Sequence, residues 1–144
     1  MTTPVLNVNQ IGTKESTDIP VDSDNPLPVS SAPTSDSDFA PTNSTQAAAA
    51  TSKVIKAAPG TLYGIAGYNA KGSAQFILLH DAAALPADAT VPVFGMTVAA
   101  TSNFSVDFGP YGMAFATGIV ACNSSTVASK TIGSADCHFF ARYK

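Results

Sequence analysis

The residues whose types and spacing could support acid–base or metal chemistry form two short pairs in the second half of the chain. His80 is followed by Asp81, and Asp136 stands two positions before His138. A histidine beside a carboxylate can carry protons or help to hold a metal ion. The chain has no serine in a Gly-x-Ser-x-Gly turn, no Gly-x-Gly-x-x-Gly fingerprint and no P-loop. We therefore predict that the protein is not an enzyme and carries no cofactor or metal.

Cys122 and Cys137 are the only cysteines, and each lies in a run of apolar residues. The first residues, Met-Thr-Thr-Pro-Val-Leu, have neither the basic nor the apolar segment of a secretory signal, so folding in a reducing cytoplasm is expected. This favours two buried thiols over a disulfide, which stays open as the alternative. Two isolated cysteines also lack the paired spacing of zinc sites.

Tyrosines offer a second kind of site. Aromatic rings grouped on one face of a sheet can stack on sugars, so a carbohydrate-binding face is an alternative to an interaction role. At strand positions, however, tyrosines more often belong to the core or to an interface, with the hydroxyl at the rim. The four tyrosines are Tyr63, Tyr68, Tyr111 and Tyr143.

Composition narrows the choice of partners. The net charge is −3, lysines and arginines form no basic stripe, and no segment reaches 18 consecutive apolar residues. These features argue against a nucleic-acid partner and against a membrane-spanning helix. Only 12% of the residues are charged and the mean hydropathy is +0.17, so we expect part of the surface to be buried against other protein chains.

The chain divides into an N-terminal arm, residues 1–51, and a folded domain, residues 52–144. The arm holds six of the ten prolines, one of the twelve aromatic residues, and six acidic residues against the single Lys14. This composition predicts an extended segment with little regular structure. Apolar residues nevertheless recur along it, which favours an arm that docks on neighbouring subunits over a plain disordered linker. The candidate docking residues are Val5, Leu6, Val8, Ile11, Ile19, Val21, Leu27, Val29 and Phe39.

In parts of the folded domain, apolar and polar residues alternate as they do in short β-strands. At residues 104–108 every second side chain is apolar, as in a half-buried strand, and the Gly-Pro-Tyr-Gly turn at 109–112 ends it. Residues 116–122 are nearly all small and apolar, which indicates a central strand covered on both faces. The other predicted strands are residues 53–57, 61–68, 74–80, 91–99, 129–132 and 137–143.

Smaller signals lie between these strands. Gly64 and Gly67 predict a bulge or a close backbone approach, and residues 69–72 have the composition of a hairpin connection. The alanine-rich residues 46–52 could form a helical turn or a hinge. About eight strands spaced by roughly 8–12 residues predict an all-β fold, an antiparallel β-sandwich or jelly-roll-like domain.

Several longer segments carry a family resemblance. They are residues 57–64 (Ala-Ala-Pro-Gly-Thr-Leu-Tyr-Gly), 76–86 (Phe-Ile-Leu-Leu-His-Asp-Ala-Ala-Ala-Leu-Pro), 91–93 (Val-Pro-Val), 107–110 (Asp-Phe-Gly-Pro), 115–120 (Phe-Ala-Thr-Gly-Ile-Val) and 131–137 (Thr-Ile-Gly-Ser-Ala-Asp-Cys). In order and spacing, residues 52–144 resemble a group of small virion proteins of tailed bacteriophages. The shared segments are structural rather than catalytic, and the arm is not covered.

The resemblance implies a β-sandwich that assembles as a symmetric oligomer, often a trimer, on the outside of a capsid or at its neck. We expect a capsid decoration, or cement, protein assembled in the bacterial cytoplasm and located on the capsid exterior. Its partners would be the major capsid protein, bound through the arm, and two further copies of itself. The alternatives are a neck, head-fibre or tail adaptor protein and a carbohydrate-binding module that contacts the host surface.

Overall fold

The computed structural model describes residues 40–144, and this part of the chain contains nine β-strands and no helix. The strands are β1 (Thr42–Ser44), β2 (Ser52–Lys56), β3 (Gly60–Asn69), β4 (Gln75–Asp81), β5 (Phe94–Val98), β6 (Ser102–Asp107), β7 (Met113–Phe115), β8 (Ile119–Ser124) and β9 (Cys137–Tyr143). The all-β fold predicted from the sequence is confirmed. The nine candidate docking residues, from Val5 to Phe39, lie outside the described residues.

The strands form two antiparallel sheets. In the five-stranded sheet the order is β1-β9-β3-β6, and β7 pairs with the start of β3. In the four-stranded sheet the order is β2-β8-β4-β5. Every strand pair is antiparallel. Residues 42–50, which composition assigns to the arm, add β1 and an Ala50–Cys137 pair to the edge of β9.

The core lies between the two sheets. Alternate residues of each strand point inward, so the five-stranded sheet contributes Leu62, Ile65 and Phe139, and the four-stranded sheet contributes Ile77 and Leu79. Two aromatic pairs pack edge to face within this layer: Phe94 with Phe108, at a centroid distance of 5.4 Å, and Phe104 with Phe139, at 6.3 Å. The alternation predicted at residues 104–108 is confirmed, because Phe104 is buried and Ser105 and Asp107 are exposed.

β8 is a central strand with all six residues buried, as the apolar run predicts. Its inner face joins the core. Its outer face, together with that of β4, is covered by residues 82–93 and 125–136, two segments that hydrogen-bond to each other through Ala89, Thr90 and Lys130. The strand begins at Ile119 rather than at residue 116, because the backbone N–H groups of residues 116–118 bond to a side chain, Asp81.

Three local predictions are wrong. Residues 129–132 form no strand, because their N–H groups bond to Thr90, Ser124 and Asp88, and only Ile132 forms an isolated bridge. The strand predicted from residue 91 starts at Phe94, since Pro92 has no N–H to give. The connection predicted as a hairpin at residues 69–72 does not join hairpin partners, because β3 and β4 lie in different sheets.

The structure also tests the predictions made from the glycines and from the alanine-rich segment. The pairing of β3 with β9 shifts register between Leu62 and Gly64, so the predicted bulge is confirmed. Gly109 and Gly112 have φ values of 73° and 65°, as the predicted turn requires. The alanine-rich segment forms no helix, and its Ala50 pairs with Cys137 instead.

Candidate functional site

The outward face of the five-stranded sheet is an open surface built from β1, β9, β3 and β6. Because Phe139 and Ala141 point into the core, His138, Phe140 and Arg142 must point outward. Pairing between strands arranges the residues of this face in three rows that run across the sheet. The first row is Asn43, Arg142, Gly64 and Asp107, the second is Phe140, Ala66 and Ser105, and the third is His138, Tyr68 and Asn103. We call these ten residues the open face.

A shallow groove of about 480 Å³ runs across the open face. Small residues, Gly64, Ala66 and Ser105, line its middle, and Phe140 and Arg142 line it from β9. Residues 43–45, on β1 and just after it, complete the lining, so the groove lies beside the first strand that follows residues 1–39. A broad groove lined by small residues can accept a strand or a side chain from another protein.

The open face carries little charge. Arg142 and Asp107 form one ion pair, with Nη2 and Oδ1 3.9 Å apart, and both side chains are half or more exposed, so the pair adds little stability. The ring of Phe140 is 41% exposed. It stacks on His138 with the two rings nearly parallel, at 6°. A partly exposed aromatic ring within a polar rim is typical of protein interfaces.

A second group of polar side chains is buried on the outer face of the four-stranded sheet. His80 of β4 stands opposite Val120 of β8, beneath the covering segments, and neither ring nitrogen has a hydrogen-bond partner within residues 40–144. Burial, followed by the nearby positive charge of Lys130, lowers the pKa of His80 below its ordinary value. Cys122 lies on the same face, and burial raises the pKa of its thiol to about 11. Both groups are therefore held in their neutral forms near pH 7.

Lys130 and Asp88 join the two covering segments above His80 and Cys122. The Lys130 side chain is only 3% exposed, and its ammonium group donates to the Asp88 carboxylate, whose side chain is 55% exposed. The same carboxylate oxygen, Oδ1, accepts the N–H of Ile132 at 3.2 Å. The hydrogen bond from Lys130, then the one from Ile132, lowers the pKa of Asp88. The pair thus consists of a buried cation and a carboxylate that reaches the surface.

Asp81 has a structural role rather than a chemical one. Its carboxylate accepts the N–H groups of Ala116, Thr117 and Gly118 at 3.0, 2.7 and 3.2 Å. These bonds, with Thr117 contributing most, lower the pKa of Asp81. The carboxylate therefore caps the loop between β7 and β8 and does not face the imidazole of the preceding His80.

The residue pairs and tyrosines singled out in the sequence do not form one site. Asp136 accepts from Ser134, whereas His138 stacks on Phe140. Among residues 40–144, no three histidine, cysteine, aspartate or glutamate side chains are placed to hold a metal ion. Tyr68 is on the open face, but Tyr143 packs against the core. Cys122 and Cys137 are buried free thiols, as the sequence favours.

Comparison of the chain with protein-family models, with curated proteins and with solved structures finds no match. Residues 40–144 contain no helix with the length and apolar character needed to span a membrane. The open face was not found from the sequence. One feature of the sequence could have indicated the open face. In His-Phe-Phe-Ala-Arg at residues 138–142, the alternation of a strand puts Phe140 and Arg142, an aromatic and a basic residue, on the same side.

Proposed function

We propose that this chain is a structural protein of a tailed-phage particle, a decoration protein that assembles as a homotrimer on the capsid exterior. The observation that carries the proposal is the position of the open face. It presents the partly exposed Phe140 beside β1, so this face brings together a surface for other chains and the C-terminal part of the arm. The resemblance of residues 52–144 to small phage virion proteins supports the same function.

The folded domain and the arm would bind different partners. The open face would bind other copies of the domain, because it is weakly charged and offers an aromatic ring and small residues to a partner. The arm would bind the major capsid protein through its spaced apolar residues, Val5 to Phe39. Three arms on one trimer bind the shell with far higher avidity than one arm alone. A ligand that binds only the assembled shell then stabilises it by mass action.

Removing the arm tests this division. The structure sets the cut: a chain beginning at residue 40 keeps β1, whereas a cut at residue 45 would remove a strand that pairs with β9. We expect the shortened chain to fold and to form trimers, but to lose binding to DNA-filled heads in co-sedimentation. Undiminished binding by the shortened chain would refute the role of the arm.

The two alternatives make different predictions. A neck, head-fibre or tail adaptor protein would be present in about a dozen copies per particle, whereas a decoration protein would be present in hundreds. A carbohydrate-binding module would use the aromatic rings of the open face, and a chain beginning at residue 40 would bind host polysaccharide in a way that Phe140→Ser abolishes. Quantitative mass spectrometry of purified particles and a polysaccharide pull-down separate the three functions.

A further inference from the structure

We propose that Lys130 and Asp88 join in an amide bond, a covalent crosslink that the folded protein forms by itself between the two segments covering the four-stranded sheet. The inference rests on the geometry of residues 82–93 and 125–136 and does not depend on the proposed function. It makes the covering segments a modification site.

Backbone hydrogen bonds between the two covering segments hold the Lys130 and Asp88 side chains together. The N–H of Ala89 donates to the carbonyl of Lys130 at 2.7 Å, and the N–H of Lys130 donates to the carbonyl of Thr90 at 2.8 Å. These bonds fix the register of the two segments directly beside the Lys130–Asp88 pair, although the residues are 42 positions apart. Two reacting groups held in this way react at effective concentrations of roughly 10⁵ M or more.

The environment of the Lys130 amine favours its conversion to an amide. Lys130 is almost completely buried, and within residues 40–144 its ammonium group has the Asp88 carboxylate as its hydrogen-bond partner. Keeping a cation out of water is costly even when it is paired. An amide is neutral, so condensation removes both charges and with them the cost of burying the ammonium group. The fold therefore favours the product over the ion pair.

The surroundings of the pair stabilise the charge that an acyl transfer develops. The N–H of Ile132 donates to Oδ1 of Asp88 and can stabilise negative charge on that oxygen during attack, as an oxyanion-hole donor does. The imidazole of His80, on the sheet beneath the pair, is neutral near pH 7, because burial and then the charge of Lys130 lower its pKa. It therefore adds no second positive charge beside the amine.

The reaction balances without a co-reactant. A proton passes from the Lys130 ammonium to the Asp88 carboxylate along the hydrogen bond that joins them. Solvent reaches this half-exposed carboxylate and exchanges the proton onto Oδ2, which converts the ion pair into a neutral amine and a carboxylic acid. The Nζ lone pair attacks Cγ and forms the new N–C bond. Oδ1 stays as the amide oxygen, the bond from Cγ to Oδ2 breaks, and Oδ2 leaves as one molecule of water with the second proton from Nζ.

The intact mass of the purified full chain tests the proposal under denaturing and reducing conditions. We expect the wild-type chain to be one water lighter than its sequence. Lys130→Met and Asp88→Ala should have the full masses of their own sequences. The matched control is Lys71→Met, because Lys71 also bonds across to a neighbouring segment, through Ser134, but has no carboxylate partner among residues 40–144. The Lys71→Met chain should still be one water lighter than its sequence. A wild-type chain with its full sequence mass would overturn the proposal.

A peptide map locates the bond and excludes a succinimide at Asp88, which also loses one water. A crosslinked Lys130 resists trypsin, so residues 72–142 should appear as one peptide in place of 72–130 and 131–142. Chymotrypsin, which cleaves between positions 88 and 130, should leave two peptides joined to each other. Loss of water together with normal tryptic cleavage after Lys130 would contradict the crosslink.

Discussion

Gly67 of β3 lies directly opposite Phe104 of β6, and the ring of Phe104 fills the space that a side chain at position 67 would need. A Cβ atom at Gly67 would also collide with the backbone carbonyl of His138 on β9. The glycine therefore allows Phe104 to reach Phe139 in the core. The sequence predicted a close backbone approach here, and the structure shows which groups approach.

Replacement of Gly67 by alanine should destabilise the domain strongly. The new methyl group must displace a backbone carbonyl as well as a ring, and overpacking of this kind costs about 2–3 kcal/mol. Gly72→Ala is the matched control, since nothing lies within 4 Å of a Cβ placed there; it should change the free energy of unfolding by less than about 0.5 kcal/mol. Urea denaturation of both variants measures the difference, and equal effects would contradict the packing described for Gly67.

Cys122 and Cys137 should not react with thiol reagents in the folded protein. Burial raises the pKa of Cys122 to about 11 and also raises the pKa of Cys137, so at pH 8 little of either thiol is in the reactive thiolate form. We expect no labelling by a chromogenic disulfide reagent in buffer, and two thiols per chain in denaturant. Rapid labelling of the native protein would contradict the burial described for these two thiols.

Asp81→Asn should lower the melting temperature near neutral pH. The folded state lowers the pKa of Asp81, so the stability it contributes is present above its ordinary pKa of 3.8 and is lost as the pH falls through the lower, folded-state value. The melting temperatures of the variant and the wild type should therefore differ at pH 7 and converge as the pH falls through that lower, folded-state value. Asp107→Asn, at a carboxylate that accepts one backbone N–H, from Gly109, should lower the melting temperature less at pH 7. A difference for Asp81→Asn that is constant from pH 7 to pH 2 would contradict the capping role.

Phe140→Ser should weaken self-association without unfolding the domain, because the ring is 41% exposed and stands outside the core. Loss of an aromatic anchor from an interface typically weakens binding tenfold or more, about 1.4 kcal/mol. The control is Val91→Ser, which removes an apolar side chain that is 71% exposed on the covering segment of the other sheet. Light scattering across a concentration series should show dissociation for Phe140→Ser alone. Identical dissociation of the two variants would show that the self-association surface is not the open face.

The parts of the fold predicted well are those with local causes. The alternation at Phe104 and the glycines at 109 and 112 act within a few residues, so the strand and its turn can be inferred directly. β7 has three residues and pairs only with the start of β3, so nothing near it in the sequence indicates a strand. The strand predicted at residues 129–132 is absent, because the N–H groups bond to distant partners such as Asp88.

Neither candidate site could be predicted, and the reason is the same for both. The open face exists because β9 lies between β1 and β3, and this order brings Phe140 beside Ala66. The contact between Lys130 and Asp88 needs two segments from different connections to meet above His80. Such juxtapositions depend on sheet order and register, which a single sequence does not specify.

Cryo-electron microscopy of the particle that contains this chain is the decisive test of the proposed decoration function. We expect trimeric density of this sandwich over the whole shell, with extended density for residues 1–39 running onto the capsid subunits. Density confined to a single vertex would indicate a neck, fibre or adaptor protein instead. A shell without this density, in particles that retain the protein, would contradict the decoration function.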